Sequence, residues 1–439
     1  MKRRHHRKPF ALLDWAGRRT QKPSAANLQL QIEAYPAGVD HTADFGGQLI
    51  LGDNLTVMAA LLPEWEERID LIYADPPFLT GKAYAARIGR GEDSRRPSEW
   101  HTVDGYRDTW INGAAYLDML HPRLQLMYQL LAPSGTLYLH LDWHASAYAR
   151  ILLDEIFGPD RFLNEIVWIY HGPSPIRSAF KRKHDTILVY TKSKDYTFNA
   201  DAVRVAYNPS TIKTFDSSPK AGFGKVPDLA RGKVPEDWWY FPVVARLHKE
   251  RSGYPTQKPE ALLERIILAS SNPDDVVADF FCGSGTTPVV ADRLGRRWLA
   301  CDQSPPAIHT TYRRFMLKQV NKPFTVWKAD EEKTRSSLQL LIALSQSGAQ
   351  ITMKLEGLQS DKASPDIFPE NLVLWEVDWD YDRRVFCSQS QAVRPWREDF
   401  IDLQLGYTYD QPGTHTLCIR ASDSQSRSGL TTRKIKVSF

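Results

Sequence analysis

The chain has 439 residues, a length that calls for more than one domain. Hydrophobic residues make up 42% and charged residues 25%, which excludes a disordered or fibrous chain and fits a globular one. The net charge is 56 − 52 = +4, too small to define a partner by itself. No apolar run reaches the ~18 residues of a membrane helix, so no membrane association is expected. The apolar stretch near the N-terminus is broken by Asp14, a poor secretory signal, and the cytoplasm is the expected compartment. Cys282, Cys301, Cys387 and Cys418 have no CxxC spacing, so neither a zinc site nor any other metal site, nor a disulfide framework, is expected.

Charge is unevenly spread. Residues 1–30 carry eight Lys/Arg against one Asp, and residues 161–260 carry 17 against 10 Asp/Glu. Residues 330–439 carry 13 against 16, an excess of negative charge. The middle basic region interleaves its cations with Trp238, Trp239, Tyr240 and Phe241, a mixture that suits nucleic acid better than a merely solubilising surface.

In chain order, residues 48–52 read as a short buried strand, followed by Asp53 and a helical pattern in NLTVMAALLPEW. Residues 69–74 form a second buried run. Residues 79–112 are polar and Gly/Arg-rich and read as a long loop. A helix over 114–131, a strand over 136–141 and a helix around 145–157 come next. Residues 161–255 lose this rhythm, although KHDTILVYTKS still reads as a core strand. The rhythm returns with the helix EALLERIILASS, the strand 276–281, a Gly-rich turn, the helix TPVVADRLG and the strand 298–302. Buried strands alternating with helices imply an α/β fold with a parallel, doubly wound sheet. Beyond about residue 330, five strand-like segments separated by turns predict an all-β sandwich, with Trp375 and Trp379 in its core.

Two sites stand out. Asp75-Pro76-Pro77-Phe78 directly follows a buried strand. Consecutive prolines cannot continue a ladder, so the chain must leave the sheet there. That sets a carboxylate, a rigid carbonyl and an aromatic ring at the carboxyl edge, where open α/β sheets bind ligands. A carboxylate and a proline carbonyl only accept hydrogen bonds. Together they can hold an NH2 group while the ring stacks on a flat heterocycle; a plain strand-ending turn is the competing explanation. The second site runs from Asp279 through Phe280, Cys282, Gly283, Gly285 and Thr286. It is a strand, a tight Gly turn and a helix start, without the Lys of a P-loop and without the third Gly of GxGxxG, which excludes a nicotinamide enzyme. Asp302 lies at the next strand end, 17 residues past Gly285, where such folds place an acid on a ribose; it also suits a helix cap before Pro305.

With these motifs in place, the chain resembles the DNA amino-methyltransferases that use S-adenosylmethionine. DPPF resembles their catalytic D-P-P-Y/F, and ADFFCGSGTT their F-x-G-x-G cofactor loop. YPTQKPEALLERII (254–267) resembles the segment before that loop, and LILGDNLTVMAALL the strand and helix before the tetrapeptide. The tetrapeptide precedes the cofactor loop with a basic insert between them, an order similar to the β group, which includes type III modification subunits. The likeness covers roughly residues 46–328. Leu79 departs from the small polar residue usual at that place in type III-like members.

The resemblance implies a Rossmann-like methyltransferase sheet carrying a target-recognition insert, and S-adenosylmethionine as cofactor. The cofactor would be held by Asp53, Thr256, Lys258, Asp279, Phe280, Cys282, Gly283, Gly285, Thr286 and Asp302. Asp53 would face the adenine, with Thr256 and Lys258 near the methionine carboxylate. Asp75, Pro76, Pro77 and Phe78 would act on a base flipped out of double-stranded DNA. Asp at the first tetrapeptide position favours N6 of adenine. N4 of cytosine, an RNA substrate, and a decayed site that only binds DNA are the alternatives. Ser304-Pro305-Pro306 looks like the cytosine tetrapeptide but lacks its aromatic and reads as a helix start. Lys181, Arg182, Lys183, Lys192 and Lys194 are the expected phosphate contacts. A second copy of the chain or a restriction subunit is a partner the resemblance leaves open.

The expected organisation is a basic arm over 1–45, a catalytic domain in two halves over 46–165 and 254–330, the insert over 166–253, and a β module over 350–439. The last strands of that module resemble immunoglobulin-like modules of the polycystic-kidney-disease type. The charged segment 331–337 and the reversal of charge beyond it predict a separable tail.

Overall fold

A computed structural model describes residues 11–18, 23–88, 101–217, 228–245, 248–318, 320–329, 338–360, 371–396, 398 and 400–438. Strands β1 (Leu28–Ala34) and β2 (Gly47–Leu51) lead into helix α1 (Asn54–Trp65) and β3 (Ile69–Ala74). A hairpin of β4 (Lys82–Ile88) and β5 (His101–Asp108) precedes α2 (Gly113–Leu130), β6 (Leu131–Leu141) and α3 (Ser146–Phe157). Then come β7 (Phe162–Ile169), β8 (His184–Thr191), the short α4 (Pro209–Ser217) and β9 (Trp238–Tyr240). The remaining units are α5 (Glu260–Ser270), β10 (Val276–Asp279), α6 (Thr286–Arg293), β11 (Arg297–Asp302), α7 (Pro305–Leu317) and β12 (Phe324–Ala329).

The parallel core runs β12-β2-β11-β10-β3-β6. Residues Leu71, Ile72, Tyr73 and Ala74 of β3 are all buried, because helices cover both faces of a parallel sheet. One face packs on α1, α2 and α3 through Val57, Met58, Leu124, Met127 and Leu152. The other packs on α5, α6 and α7 through Leu263, Ile266, Val290, Ile308 and Phe315. From β10 the chain passes through α6 to β11 on one side; from β3 it proceeds to β6 on the other. The two neighbours therefore flank the switch point, and a crevice opens above their carboxyl ends.

Four expectations need correction. Residues 28–34, placed in a basic arm, form β1 and pair antiparallel with β12, because alternate apolar side chains in LQLQIEA find a sheet edge to cover. Within the polar segment 79–112, residues 82–88 and 101–108 pair as the β4–β5 hairpin rather than forming a loop, and residues 89–100 lie outside the described residues. The insert over 166–253 is not set apart from the catalytic sheet, since β7, β8 and β9 extend that sheet beyond β6; Ile187, Leu188, Val189 and Tyr190 are core, as expected of KHDTILVYTKS. Finally, the β module begins at Leu338, ahead of the expected residue 350, while the segment 331–337 lies outside the described residues.

That module comprises β13 (Leu338–Ser347), β14 (Gln350–Ser360), β15 (Leu372–Asp378), β16 (Phe386–Ser388), β17 (Ser390–Val393), β18 (Gln404–Thr408), β19 (Gly413–Asp423) and β20 (Ser428–Val437). Its sheets β13-β14-β18 and β17-β15-β19-β20 enclose Ile351, Met353, Trp375, Trp379, Leu417 and Ile419. It is not a separate body. Strand β16 pairs in parallel with β1, so one strand of the module lengthens the central sheet to eleven. Val373, Leu374, Phe386 and Cys418 join the apolar cluster of the sheet. All four cysteines are free. Among the described residues no helix is long and apolar enough to cross a membrane.

Candidate active site

The crevice encloses about 970 Å³ and is lined by both motifs. Asp75 follows β3 directly, and the prolines carry Phe78 away from the sheet edge. The loop is clasped by Asp108, the last residue of β5. Its carboxylate accepts from the backbone N–H of Phe78 (3.1 Å), Leu79 (2.8 Å) and Thr80 (2.8 Å), from Thr80 Oγ1 (2.6 Å) and from Trp110 Nε1 (2.9 Å). Five donors satisfy the carboxylate of a residue that is 1% exposed. Leu79 takes a left-handed backbone, φ 67°, to present its N–H. Asp108 is absent from the sequence reading. Only the hairpin register, which pairs Lys82 with Asp108, brings it back beside the tetrapeptide.

Asp75 uses its two oxygens differently. Oδ2 accepts from Lys258 Nζ, whereas Oδ1 is buried with no hydrogen-bond partner among the described residues. The Phe78 ring lies 5.4 Å from Lys258 Nζ and 5.8 Å from the His140 ring, nearly parallel to it at 24°. His140 is fully buried. Its Nδ1 lies 2.7 Å from Tyr73 Oη and its Nε2 3.3 Å from Asp185 Oδ2, while Tyr170 donates to Asp185 Oδ1 at 3.0 Å. Burial alone would raise the Asp185 carboxyl; the hydrogen bond and charge of His140, with Lys258 nearby, outweigh it and hold the group below its usual value. The floor beneath Phe78 is thus a polar chain with its hydrogen bonds made.

The Gly turn between β10 and α6 is shaped by backbone. Gly283 and Gly285 have φ of 49° and 74°, conformations costly for other residues. A Cβ at Gly285 would lie 2.5 Å from Thr311 Oγ1, and one at Gly283 3.3 Å from the Tyr254 ring. Asp302 braces the turn, accepting from Gly283 N and Ser304 N, both at 2.9 Å. Burial pushes its carboxyl up to about 6 against those bonds. Asp279 accepts from Thr287 Oγ1 (2.5 Å) and Phe281 N (3.0 Å), and burial lifts it to about 7. Burial also pushes the Cys282 thiol up. Ser304 is the residue before α7, with Pro305 in its first turn, so the Ser-Pro-Pro stretch is a helix start.

Most of the expected residues converge. Asp75, Pro76, Pro77, Phe78, Thr256, Lys258, Asp279, Phe280, Cys282, Gly283, Thr286, Asp302 and Arg182 line the crevice. Gly285, the residue of the turn just before α6, is not in the lining. Asp53 is not in the lining: it caps α1 through Leu55 N (3.0 Å) and pairs with Arg123 (2.6 Å), whereas Asn54 and Arg123 do line the crevice. Lys258, expected toward a cofactor carboxylate, is engaged with Asp75.

The basic residues divide. Arg182 stacks 4.2 Å over Trp143 at the mouth of the crevice, and Lys181 beside it is exposed. Lys183 donates to Pro173 O at 2.8 Å. Lys192 is turned inward, its side chain 5% exposed, donating to Leu131 O (2.5 Å) and pairing with Glu67 (3.2 Å). Lys194 is exposed but follows Lys192. Because β8 runs antiparallel to β6, with Thr136 opposite Thr191 and Leu141 opposite Thr186, Lys192 and Lys194 lie at the edge of the sheet away from the crevice. A basic run read along the chain cannot reveal that its strand crosses the molecule.

The chain is similar in sequence to known DNA methyltransferases. A family model described as DNA methylase (N6/N4) matches residues 69–313. The type II methyltransferase M.HpaI of Haemophilus parainfluenzae is 32% identical over 271 residues, covering 62% of this chain and 74% of that one. The DNA adenine methyltransferase YhdJ of Escherichia coli K12 is 32% identical over 270 residues, covering 61% and 81%. Among solved structures, the M1.HpyAVI–SAM complex aligns with 18% identity and a TM-score of 0.40, over 62% of this chain and 100% of that one. With the tetrapeptide and the Gly turn facing each other across the switch point, and the family model spanning both, the chain belongs to the N6/N4 family of DNA methylases.

Proposed function

We propose that the protein transfers a methyl group from S-adenosylmethionine to the N6 amine of an adenine flipped out of a specific DNA sequence. The observation that carries this reading is Asp75, which lines the same crevice as the Gly turn and whose Oδ1 is a buried acceptor without a partner among the described residues. An unsatisfied buried carboxylate oxygen is costly, and an incoming N–H would relieve it.

The crevice suits the cofactor. Gly283 offers backbone rather than a side chain to it, and Thr286 and Asp302 add polar groups at its wall. Gly283, Thr286, Asp302, Phe280 and Asn54 would hold it, with Thr256 at the far end. S-adenosylmethionine, when bound, supplies a methyl group activated by its sulfonium.

Asp75 Oδ1 and the Pro76 carbonyl would accept the two N–H bonds of the target amine. That turns the nitrogen lone pair, otherwise delocalised into the base, toward the methyl carbon. Holding the reacting atoms in line is worth about 7–11 kcal/mol in favourable cases. The new N–C bond forms as the S–C bond breaks, and Asp75 or water takes the proton from the alkylated nitrogen. Lys258 keeps Asp75 Oδ2 occupied, so the carboxylate cannot rotate away. Phe78, backed by His140, offers a stacking face of about 1–3 kcal/mol to a flipped base.

Adenine is favoured over cytosine by Asp at the first tetrapeptide position and by the adenine-specific name of one relative. The relatives with type II names support a type II rather than a type III modification enzyme. Lys181 and Arg182 would meet phosphates at the crevice mouth. The acidic C-terminal module would not grip DNA.

Sequencing DNA from cells that express the chain, with a method that resolves modified bases, tests the proposal. N6-methyladenine at one short motif is expected. N4-methylcytosine would transfer the assignment to the other base, and unmodified DNA would overturn it.

A further inference from the structure

Helix α7 stands between the cofactor turn and the C-terminal module, and its two faces serve different masters. At 100° per residue, Thr311 and Arg314 share one face, and Tyr312 and Arg313 fall on the opposite side with His309. On the first face, Thr311 Oγ1 donates to Gly283 O at 3.2 Å. Arg314 Nη1 donates to Ser284 O (2.8 Å) and Thr286 Oγ1 (3.1 Å), and its Nη2 to Glu260 Oε1 (2.8 Å). Gly283 and Ser284 of the Gly turn, and Thr286 at the start of α6, are therefore fastened to α7.

The second face is fastened to the module. Arg313 donates to Arg394 O from Nη2 (2.6 Å) and Nε (3.2 Å), and its guanidinium lies 3.7 Å over the Trp396 ring. Tyr312 donates to Glu376 Oε2 at 3.3 Å, and Arg420 holds the same oxygen at 3.1 Å. Glu376 and Arg313 are almost completely buried. Burial, with Arg313 and Arg420 close by, pushes His309 down to about 3, so this face holds a neutral imidazole among its cations. Buried groups with this many partners do not shift independently.

We propose that the C-terminal module sets the position of the cofactor turn through α7, with Arg313 and Glu376 as positioning residues for cofactor binding, although neither lines the crevice. This rests on the reading that the turn holds S-adenosylmethionine. The module is then part of the cofactor site's support rather than an appended spacer. A change at its interface with α7 reaches Gly283 and Ser284 through one helical turn.

The test uses the full-length chain with Arg313→Met, Arg313→Lys and Glu376→Gln. Affinity for S-adenosylmethionine is measured by calorimetry, with kcat, KM for each substrate, DNA affinity at fixed salt, and melting temperature. Arg313→Met is expected to weaken the cofactor about 10-fold and to raise its KM alike, with kcat and DNA affinity within about twofold. Arg313→Lys, which can still donate to Arg394 O, should recover most of the loss. Glu376→Gln keeps the shape and tests the same link if Arg313→Met does not fold. Cofactor affinity unchanged in the folded variants, with only the melting temperature lowered, would overturn the proposal. No cofactor binding by the unmutated protein would instead overturn the functional reading beneath it.

Discussion

The two loops that face each other across the crevice are held by opposite means. The tetrapeptide loop is clasped by one side chain, Asp108, delivered by a hairpin that packs beside the sheet. The Gly turn is held by its own backbone angles and by a helix in the second apolar layer. The first loop presents side chains, the second mostly main chain. Chemistry and cofactor binding should therefore be separable by mutation, and each loop should fail in its own way.

The largest effect is expected at Gly285. Valine there would meet Thr311 and adopt a left-handed backbone costing roughly 1–2 kcal/mol by itself. Cofactor binding should fall below detection by calorimetry while DNA is still retained in a gel-shift assay. Retained cofactor affinity would mean that the turn is not the binding element. Next in size is Asp108→Ala, which leaves three loop N–H groups without their acceptor. Turnover should drop about 100-fold, as expected when a reacting group is misplaced by an ångström, with cofactor affinity changed only a few-fold. An equal loss of both would erase the distinction between the loops. Phe78→Ala should lower kcat/KM by about 10–100-fold, the equivalent of one base stack. Phe78→Tyr should keep most activity, since only the ring face is required. The smallest change sharpens the contrast between the two basic clusters. Neutralising Lys181 and Arg182 should flatten the salt dependence of DNA affinity by about 0.9 per lost phosphate contact. Neutralising Lys194 should leave that slope alone. A slope that responds to Lys194 would place DNA at the opposite edge of the sheet.

Much of the site was legible from sequence because its signals are local. Strand and Asp-Pro-Pro-Phe fall within residues 69–78, and strand, Gly-Ser-Gly and helix within residues 276–293, and the sheet rule puts both at one edge. The parallel core was legible for the same reason: IDLIYA and VVADFF are apolar runs of strand length with helices between them. What escaped is non-local. Asp108 is remote in the chain from the loop it clasps, and a hairpin in polar sequence carries no apolar rhythm to announce it. β1 pairs with β12 across almost the whole catalytic region, and β16 reaches β1 from the C-terminal module. No periodicity in 28–34 or 386–388 encodes those partners. Lys192 shows the same limit for charge. Its sequence neighbourhood is basic, but its ammonium closes the carbonyl end of α2. The join between module and sheet also overturns the expected separable tail. Removing residues 338–439 would uncover Tyr312, Arg313 and one edge of β1.

The central claim is that Asp75 Oδ1 is the acceptor for the target amine. Asp75→Asn tests it most directly, because it keeps the shape of the side chain while removing its charge. Single-turnover methyl transfer to DNA should be measured in the same preparation as cofactor affinity. The expected result is transfer slowed by about 1,000-fold or more, with cofactor affinity within about threefold of the unmutated protein. Transfer at near the normal rate, or loss of transfer only in proportion to lost cofactor binding, would contradict it.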